Sequence, residues 1–256
     1  MFAWLERAWR VTATGICFLC FGVGGVILGV LVFPASRLVF REAERRSEFG
    51  KRIIHGSFRR FIRLMAAMGV LSYEFHGLDR LTGRGLLILA NHPSLIDVVF
   101  LIAHVENADC IVKGELGRNP FTRGPVRAAG YVCNDQGGDM LDDCVRSLRR
   151  GNNLIVFPEG TRTRSGQPLK LHRGAARVAL RAGVDITPVR IRCDPPTLGK
   201  GEKWYKIPHR RVHFRFDVDE PVPVAGFVDS TDAISARRLT EFLAQHLSTE
   251  TEIAPS

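Results

Sequence analysis

Residues 86–97 of the chain read LLILANHPSLID, and this short passage indicates the architecture of the domain around it. Its five leading apolar residues are typical of a buried strand, and a polar segment follows them directly. Pro93 and Ser94 can begin a helix with Ser94 as its cap, which puts His92 at the mouth of that helix and Asp97 about one turn inside it. A carboxylate at that place can accept a hydrogen bond from one ring nitrogen of His92 and leave the other nitrogen free to take a proton.

A second polar turn, FPEGTRT at residues 157–163, follows another apolar run. A turn of this composition exposes backbone N–H groups, and Arg162 adds a planar fork of donors, so phosphate is its natural ligand. The alternative is a surface turn in which Glu159 and Arg162 form a salt bridge. Lys113 also follows a candidate strand and would supply a second cation for a phosphate. Three polar clusters at the ends of three strands favour one common site.

Short apolar runs alternate with helical patterns from residue 72 onward. The alternation predicts an α/β domain with a mixed, largely parallel sheet flanked by helices. In such sheets the working residues collect where strands end and loops begin. The candidate strands are Ser72–His76, Leu86–Ala90, Asp109–Lys113, Gly130–Asn134, Asn153–Phe157, Asp185–Arg192 and Arg211–Asp217, and the candidate helices are Leu95–His104, Asp139–Arg149, Leu171–Ala182 and Ala233–Leu247.

The N-terminal part has a different pattern. Residues 11–33 carry no charge and are long enough to span a bilayer as a helix, with a cleaved signal peptide or a shallow helix as alternatives. Basic residues are denser after this run than before it, so we expect the rest of the chain in the cytoplasm, at the inner membrane. Residues 53–71 form an amphipathic pattern that suits an anionic membrane surface, although a helix packed on the core shows the same pattern. We therefore expect N-terminal membrane-associated helices at 1–71, an α/β domain at 72–248 and a flexible tail at 249–256.

The net charge of +10 over 256 residues favours a polyanionic partner, either anionic lipid or nucleic acid. Nucleic-acid binding rests on this charge alone, because no recognised motif for it is present. Residues 203–211, KWYKIPHRR, are typical of a nucleic-acid loop, a membrane-contacting loop or a plain edge-strand loop. Only Cys17 and Cys20 lie close together among six cysteines, and no histidine is near them, so we expect no metal site.

The polar turns resemble the motifs of a known family. His92 and Asp97 match the His-x4-Asp motif of the glycerolipid acyltransferase superfamily, and residues 157–162 match its Phe-Pro-Glu-Gly-Thr-Arg motif. Residues 113–116 resemble the block between these two motifs, and residues 186–189 resemble the fourth block. The likeness covers Tyr73 to Arg192 in the right order, and the chain resembles the 1-acyl-sn-glycerol-3-phosphate acyltransferase branch.

This resemblance implies an O-acyltransferase of phospholipid biosynthesis. His92 would deprotonate the hydroxyl of a lysophospholipid acceptor, with Asp97 as its orienting partner, and the oxygen would attack the thioester of acyl-CoA or acyl-carrier protein directly. The resemblance implies no metal and no cofactor, with the acyl donor as co-substrate, and it implies an anionic membrane rather than nucleic acid as partner. The residues that would hold the acceptor's phosphate are Lys113, Glu159, Gly160, Thr161 and Arg162.

One block departs from the family pattern. Many relatives carry a basic residue at the end of the second block, where this chain has Asn134 and Asp135. An acceptor without phosphate, such as an aminoacyl lipid or a secondary-metabolite lipid, therefore stays open. A non-catalytic lipid-binding homologue is the other alternative.

Overall fold

The computed structural model describes residues 2–112, 114, 123–133, 140–163, 167–229 and 231–248. The expected tail and Lys113 lie outside the described residues. Within the described part, seven strands form one central sheet. The strands are β1 (Leu71–His76), β2 (Leu87–Ala90), β3 (Ala108–Val112), β4 (Val132–Cys133), β5 (Asn153–Val156), β6 (Ile186–Asp194) and β7 (Val212–Val218).

The sheet is mixed and largely parallel, as the alternating pattern predicts. Its strand order is β1-β7-β6-β2-β5-β3-β4. β6 and β7 pair antiparallel, whereas every other neighbouring pair is parallel, so β1 and β7 run against the remaining five strands. All residues of β2 and β5 are buried, because helices cover both faces of a parallel sheet.

Helices form a layer on each face of the sheet. Ile88 and Ala90 of β2 point into the core on one face, and Leu87 and Leu89 point into the core on the other, as the period of two in a strand requires. The first face carries α1 (Phe2–Ile27), α2 (Phe33–Val39), α3 (Ala43–Ala67), α4 (Asp97–His104) and α5 (Arg123–Ala129), and the second carries α6 (Met140–Arg149), α7 (Gly174–Ala182) and α8 (Asp232–Ser248).

The N-terminal apolar run is one helical rod. A π-helical turn at Leu28–Val32 joins α1 to α2, and Trp4–Val39 is long and apolar enough to cross a membrane. Ala13 and Cys17 are fully buried against the domain, whereas Leu19 on the outer side is 66% exposed. Gly29 lets the rod approach α5 closely, since a Cβ on Gly124 would come within 2.7 Å of the Gly29 Cα.

Two helix starts and one additional helix are the main differences from the sequence predictions. The amphipathic helix α3 begins at Ala43 rather than at residue 53, and the short helix α5 was not expected. α4 begins at Asp97, so the helix start predicted at Pro93 and Ser94 is wrong. The Ser94 hydroxyl has no hydrogen-bond partner among the described residues, and the Asp97 Oδ2 atom instead accepts the Ser94 N–H at 2.6 Å. The free backbone donor is satisfied by the carboxylate, which leaves the serine hydroxyl without a capping role.

A buried ion pair joins α3 to the sheet and gives a test of the packing. The Lys51 Nζ lies 2.7 Å from the Asp109 Oδ1, and each side chain is 5% exposed. Replacing Lys51 with Met leaves Asp109 buried without its cation, which should cost about 3–5 kcal/mol in the free energy of unfolding. The double variant K51M/D109N should recover most of this loss. Thermal unfolding of the full chain in detergent measures both.

The exposed pair between Arg45 and Glu42 is the matched control, since both side chains are about 70% exposed to solvent. R45M should change the free energy of unfolding by less than about 1 kcal/mol. An equal effect of K51M and R45M would contradict the role of the buried pair.

Candidate active site

The two polar turns meet at one edge of the sheet. β2 and β5 are neighbouring parallel strands, so their carboxyl ends lie side by side. His92 follows the end of β2, and Glu159 follows the end of β5. A hydrogen bond from the Thr163 N–H to the His92 carbonyl, at 3.1 Å, ties the two turns together. The structure therefore brings the His-x4-Asp turn and the 157–163 turn into one site.

The His92 ring is held on two sides. Its Nδ1 lies 3.0 Å from the Asp97 Oδ2, and its plane stacks on Phe157 with the ring centroids 4.2 Å apart. Asp97 is fully buried, while the His92 side chain is 17% exposed. No described residue hydrogen-bonds to the His92 Nε2. An imidazole fixed in this way offers Nε2 as its free nitrogen.

Asp97 lies in an environment that resists its ionisation. Burial raises the pKa of this carboxyl above its ordinary value, and hydrogen bonds from His92 and the Ser94 N–H act in the opposite direction. The charge of Arg162 also lowers this pKa. The carboxylate form is the form that can accept both hydrogen bonds at once.

Glu159 is buried and hydrogen-bonds to its own site, so its carboxyl group is not exposed to a substrate. Its Oε1 accepts the backbone N–H of His92 at 2.8 Å, and its Oε2 accepts the hydroxyl of Thr163. Only 5% of the residue is exposed. Burial raises the pKa of Glu159 to about 7, and the neighbouring charge of Asp97 adds to the increase. Both carboxyl oxygens are occupied by the site itself.

Arg162 is positioned by a distant loop. Its Nη1 donates to the carbonyl oxygens of Leu198 and Gly199 at 2.8 and 3.0 Å. The Leu198 carbonyl also accepts the N–H of Leu95, at 3.1 Å, close to the His92 and Asp97 pair. The salt bridge between Glu159 and Arg162, considered above as an alternative, is not formed. The Nη2 and Nε of Arg162 have no partner among the described residues.

Gly160 makes the tight turn between these groups. Its φ of +65° is in the left-handed region that favours glycine, and a Cβ there would lie 3.3 Å from the His172 ring. Thr161 is half-buried beside it. His172 is a neighbour of the turn that sequence reasoning missed, and only its distance in the fold reveals it.

Asn91 is a second residue that sequence reasoning did not assign. Its side-chain amide donates to the Ile191 carbonyl at 2.9 Å and accepts the Ile191 N–H at 2.6 Å. This pair of bonds fastens the start of the His92 turn to β6. A polar residue directly after a buried strand was the available sign in the sequence.

Comparisons with known proteins find similarity to acyltransferases. The family model described as Acyltransferase matches residues 72–192. The 1-acyl-sn-glycerol-3-phosphate acyltransferase of Pseudomonas aeruginosa is 27% identical over 186 residues, which cover 69% of each chain. The lyso-ornithine lipid O-acyltransferase of the same organism is 32% identical over 134 residues, which cover half of each chain. The crystal structure of 1-acyl-sn-glycerophosphate acyltransferase PlsC from Thermotoga maritima has the same fold, with a TM-score of 0.71 and 19% identity over 99% of this chain and 100% of that one.

The histidine–carboxylate pair lies at the carboxyl edge of this sheet with the Arg162 turn beside it, within the residues that the acyltransferase family model matches. Residues 72–192 thus match the acyltransferase family model, and similar proteins of Pseudomonas aeruginosa and Homo sapiens are 1-acyl-sn-glycerol-3-phosphate acyltransferases. The exposed apolar helix of the chain indicates association with a membrane.

The raised pKa of Glu159 predicts a pH-dependent stability. Ionising this group costs more in the folded protein than in the unfolded chain, where its pKa is near 4.5. Its contribution should therefore lower the free energy of unfolding as pH rises from about 4.5 to about 7, and the loss should be complete above that range. E159Q keeps an acceptor for the His92 N–H but cannot ionise. The Tm of E159Q relative to that of the parent should rise across this interval, and parallel Tm curves would contradict the prediction.

Proposed function

We propose that the protein transfers a fatty acyl group from acyl-CoA or acyl-carrier protein to the hydroxyl of a lysophospholipid. The acceptor that fits best is 1-acyl-sn-glycerol-3-phosphate, and the product is then phosphatidic acid. The observation that carries the proposal is the contact of the His92 Nδ1 with the buried Asp97, which leaves Nε2 open at the edge of the sheet.

The reaction needs one base and one oriented pair of substrates. The His92 Nε2 takes the proton of the acceptor hydroxyl while the hydroxyl oxygen forms a bond to the thioester carbonyl carbon. The carbon–sulfur bond then breaks, and the proton goes to the departing thiolate. A positioned base contributes about 10²–10⁴-fold in rate. Holding both substrates together supplies the larger part of the remaining acceleration, and no metal or cofactor takes part.

The phosphate of the acceptor would lie against the 157–163 turn. Arg162 is anchored through Nη1, so its remaining guanidinium nitrogens can donate to phosphate oxygens. Gly160 and Thr161 would add donors from the turn, and Lys113 would add a second charge. Glu159 would support the phosphate only indirectly, because both of its oxygens already accept hydrogen bonds from His92 and Thr163.

The protein would work at the inner membrane with the α/β domain facing the cytoplasm. An anionic membrane surface would attract the dense basic residues after the apolar run. The helical rod contacts the domain near both ends, since Ala13 and Ser36 are both buried. A helix fastened to one domain at both ends suits insertion into one leaflet better than a crossing of the bilayer.

A second candidate is acyl transfer to an acceptor without phosphate. The relative that acts on a lyso-ornithine lipid supports it, being 32% identical over half of the chain. The sequence at Asn134 and Asp135, outside the described residues, also lacks the basic residue of many relatives. An aminoacyl headgroup would not need that cation.

Loss of the base tests the reaction itself. H92A should lower acyl transfer by about 10²–10⁴-fold, because no positioned base then takes the proton of the lipid hydroxyl. Mass spectrometry of the purified chain with each donor and lysophosphatidic acid measures the product. H76A is the control, since His76 is 52% exposed on the edge strand β1. Equal rates for H92A and the parent would remove His92 from the mechanism.

Competition between acceptors distinguishes the two candidates. With lysophosphatidic acid and a lyso-ornithine lipid present together, we expect the phosphate-bearing acceptor to be consumed faster, because Arg162 then has a phosphate to bind. Faster consumption of the lyso-ornithine lipid would favour the second candidate. Binding of both lipids without any product, with either donor, would instead indicate a non-catalytic lipid-binding protein.

A further inference from the structure

Residues 203–206, which we name the aromatic loop, expose two large rings beside two lysines. Trp204 is 46% exposed and Tyr205 is 50% exposed. The Lys203 ammonium lies 5.6 Å from the centroid of the Tyr205 ring, and Lys206 is also exposed. Side chains with an apolar body and a polar tip are enriched where a membrane meets water. The aromatic loop has the composition of such a boundary.

The aromatic loop is continuous with the apolar face of the N-terminal rod. The Trp204 ring packs over Gly15, where an added Cβ would lie 3.5 Å from the ring. The centroids of the Trp204 and Phe18 rings are 6.2 Å apart. The buried Arg10 donates to the carbonyl of His209, which fastens the same segment to α1. Leu19, one residue beyond Phe18, is 66% exposed. The two rings therefore border an outward apolar surface.

The charges around the aromatic loop favour an anionic lipid surface as the occupant. Lys203 and Lys206 have no carboxylate partner among the described residues, whereas Arg210 is paired with Asp194 at 2.9 Å. Lysines without a carboxylate partner in the described part of the chain, beside exposed aromatic rings, suit lipid headgroups, and they would also suit a nucleic acid. Continuity with an exposed apolar helix decides between them, because a nucleic acid offers nothing to cover that helix.

The same segment reaches the candidate active site. Leu198 and Gly199, upstream of the aromatic loop, hold Arg162 through their carbonyl groups. The geometry points to the aromatic loop as a second membrane-contact site beside the helical rod. The loop inserts Trp204 and Tyr205 among the headgroups of an anionic membrane. This contact seats the Arg162 turn at the surface from which a lipid acceptor arrives. The placement of the Arg162 turn for a lipid acceptor rests on the proposed function, whereas the membrane contact of the aromatic loop does not.

Quenching of tryptophan fluorescence by brominated lipids tests the position of Trp204. The full chain with W4F and W9F keeps Trp204 as its one tryptophan and is reconstituted in anionic phosphatidylglycerol vesicles with brominated acyl chains. We expect strong loss of fluorescence relative to unbrominated vesicles. The same loss is expected when H92A is added, which separates this test from the catalytic proposal.

Two control variants make the result decisive. In the W4F/W9F/W204F background, L19W places a tryptophan on the apolar helix and should be quenched. V228W places one at a residue that is 69% exposed and follows Phe227, whose ring contacts Phe242 of α8 on the other face of the sheet. This tryptophan should not be quenched. Quenching at residue 19 without quenching at residue 204 would overturn the proposal. A response of Trp204 to an oligonucleotide but not to brominated lipid would also overturn it.

Removal of the two lysines tests the electrostatic part. K203Q/K206Q should weaken binding to phosphatidylglycerol vesicles roughly 30-fold, since each surface lysine contributes about a factor of five. Binding to zwitterionic phosphatidylcholine vesicles should not change. The charge-matched control R149Q/R150Q removes two exposed arginines at the end of α6. Equal weakening by both pairs would show an effect of net charge alone and would overturn the assignment of the lysines to a contact site.

Discussion

His92 is held by two buried carboxyl groups, Asp97 at the start of α4 and Glu159 in the turn after β5. Asp97 binds the ring through Nδ1, and Glu159 binds the backbone N–H of the same residue. The first contact sets the tautomer and the direction of the ring. The second fixes the place of the whole turn relative to β5. Because the two segments follow the adjacent parallel strands β2 and β5, both hydrogen bonds to His92 form at the same edge of the sheet.

The electrostatic cost of this arrangement is shared among several groups. Burial raises the pKa of both Asp97 and Glu159, and the charge of Asp97 adds to the increase at Glu159. The hydrogen bonds from His92 and the positive charge of Arg162 act against this increase at Asp97. Arg162 is itself held by carbonyl groups of residues 198 and 199. The two acids therefore hold His92 in place, and the Nη2 and Nε of Arg162 keep no partner among the described residues.

The same long loop that holds Arg162 also packs on the N-terminal rod. Trp204 contacts Gly15 and Phe18, and Arg10 is buried where it meets the His209 carbonyl. A charged side chain in an apolar helix is costly to bury without such a partner. The rod, the loop and the Arg162 turn thus form one continuous set of contacts. Membrane attachment and the site are linked through packing rather than through a flexible linker.

Local chemistry made much of the molecule predictable. Every strand of the central sheet was expected within a few residues of its bounds, because apolar runs between turns identify buried strands. The pairing of His92 with Asp97 was also expected, since the two residues are close in the chain. The short helix α5 was missed because Gly124 and Pro125 lower its helix propensity, and packing against Gly29 and α3 compensates for that in the fold.

The sequence by itself determined the alternation of strands and helices, the exposed apolar rod and the residues of the two turns. Only the tertiary structure decided what Glu159, Asn91 and Arg162 contact. The pairing of Asn91 with Ile191 joins residues 100 apart in the chain, and the bond from Arg162 to Leu198 joins residues 36 apart. Such contacts depend on which strands become neighbours. That order is set by the packing of the whole core and by no local pattern of residues.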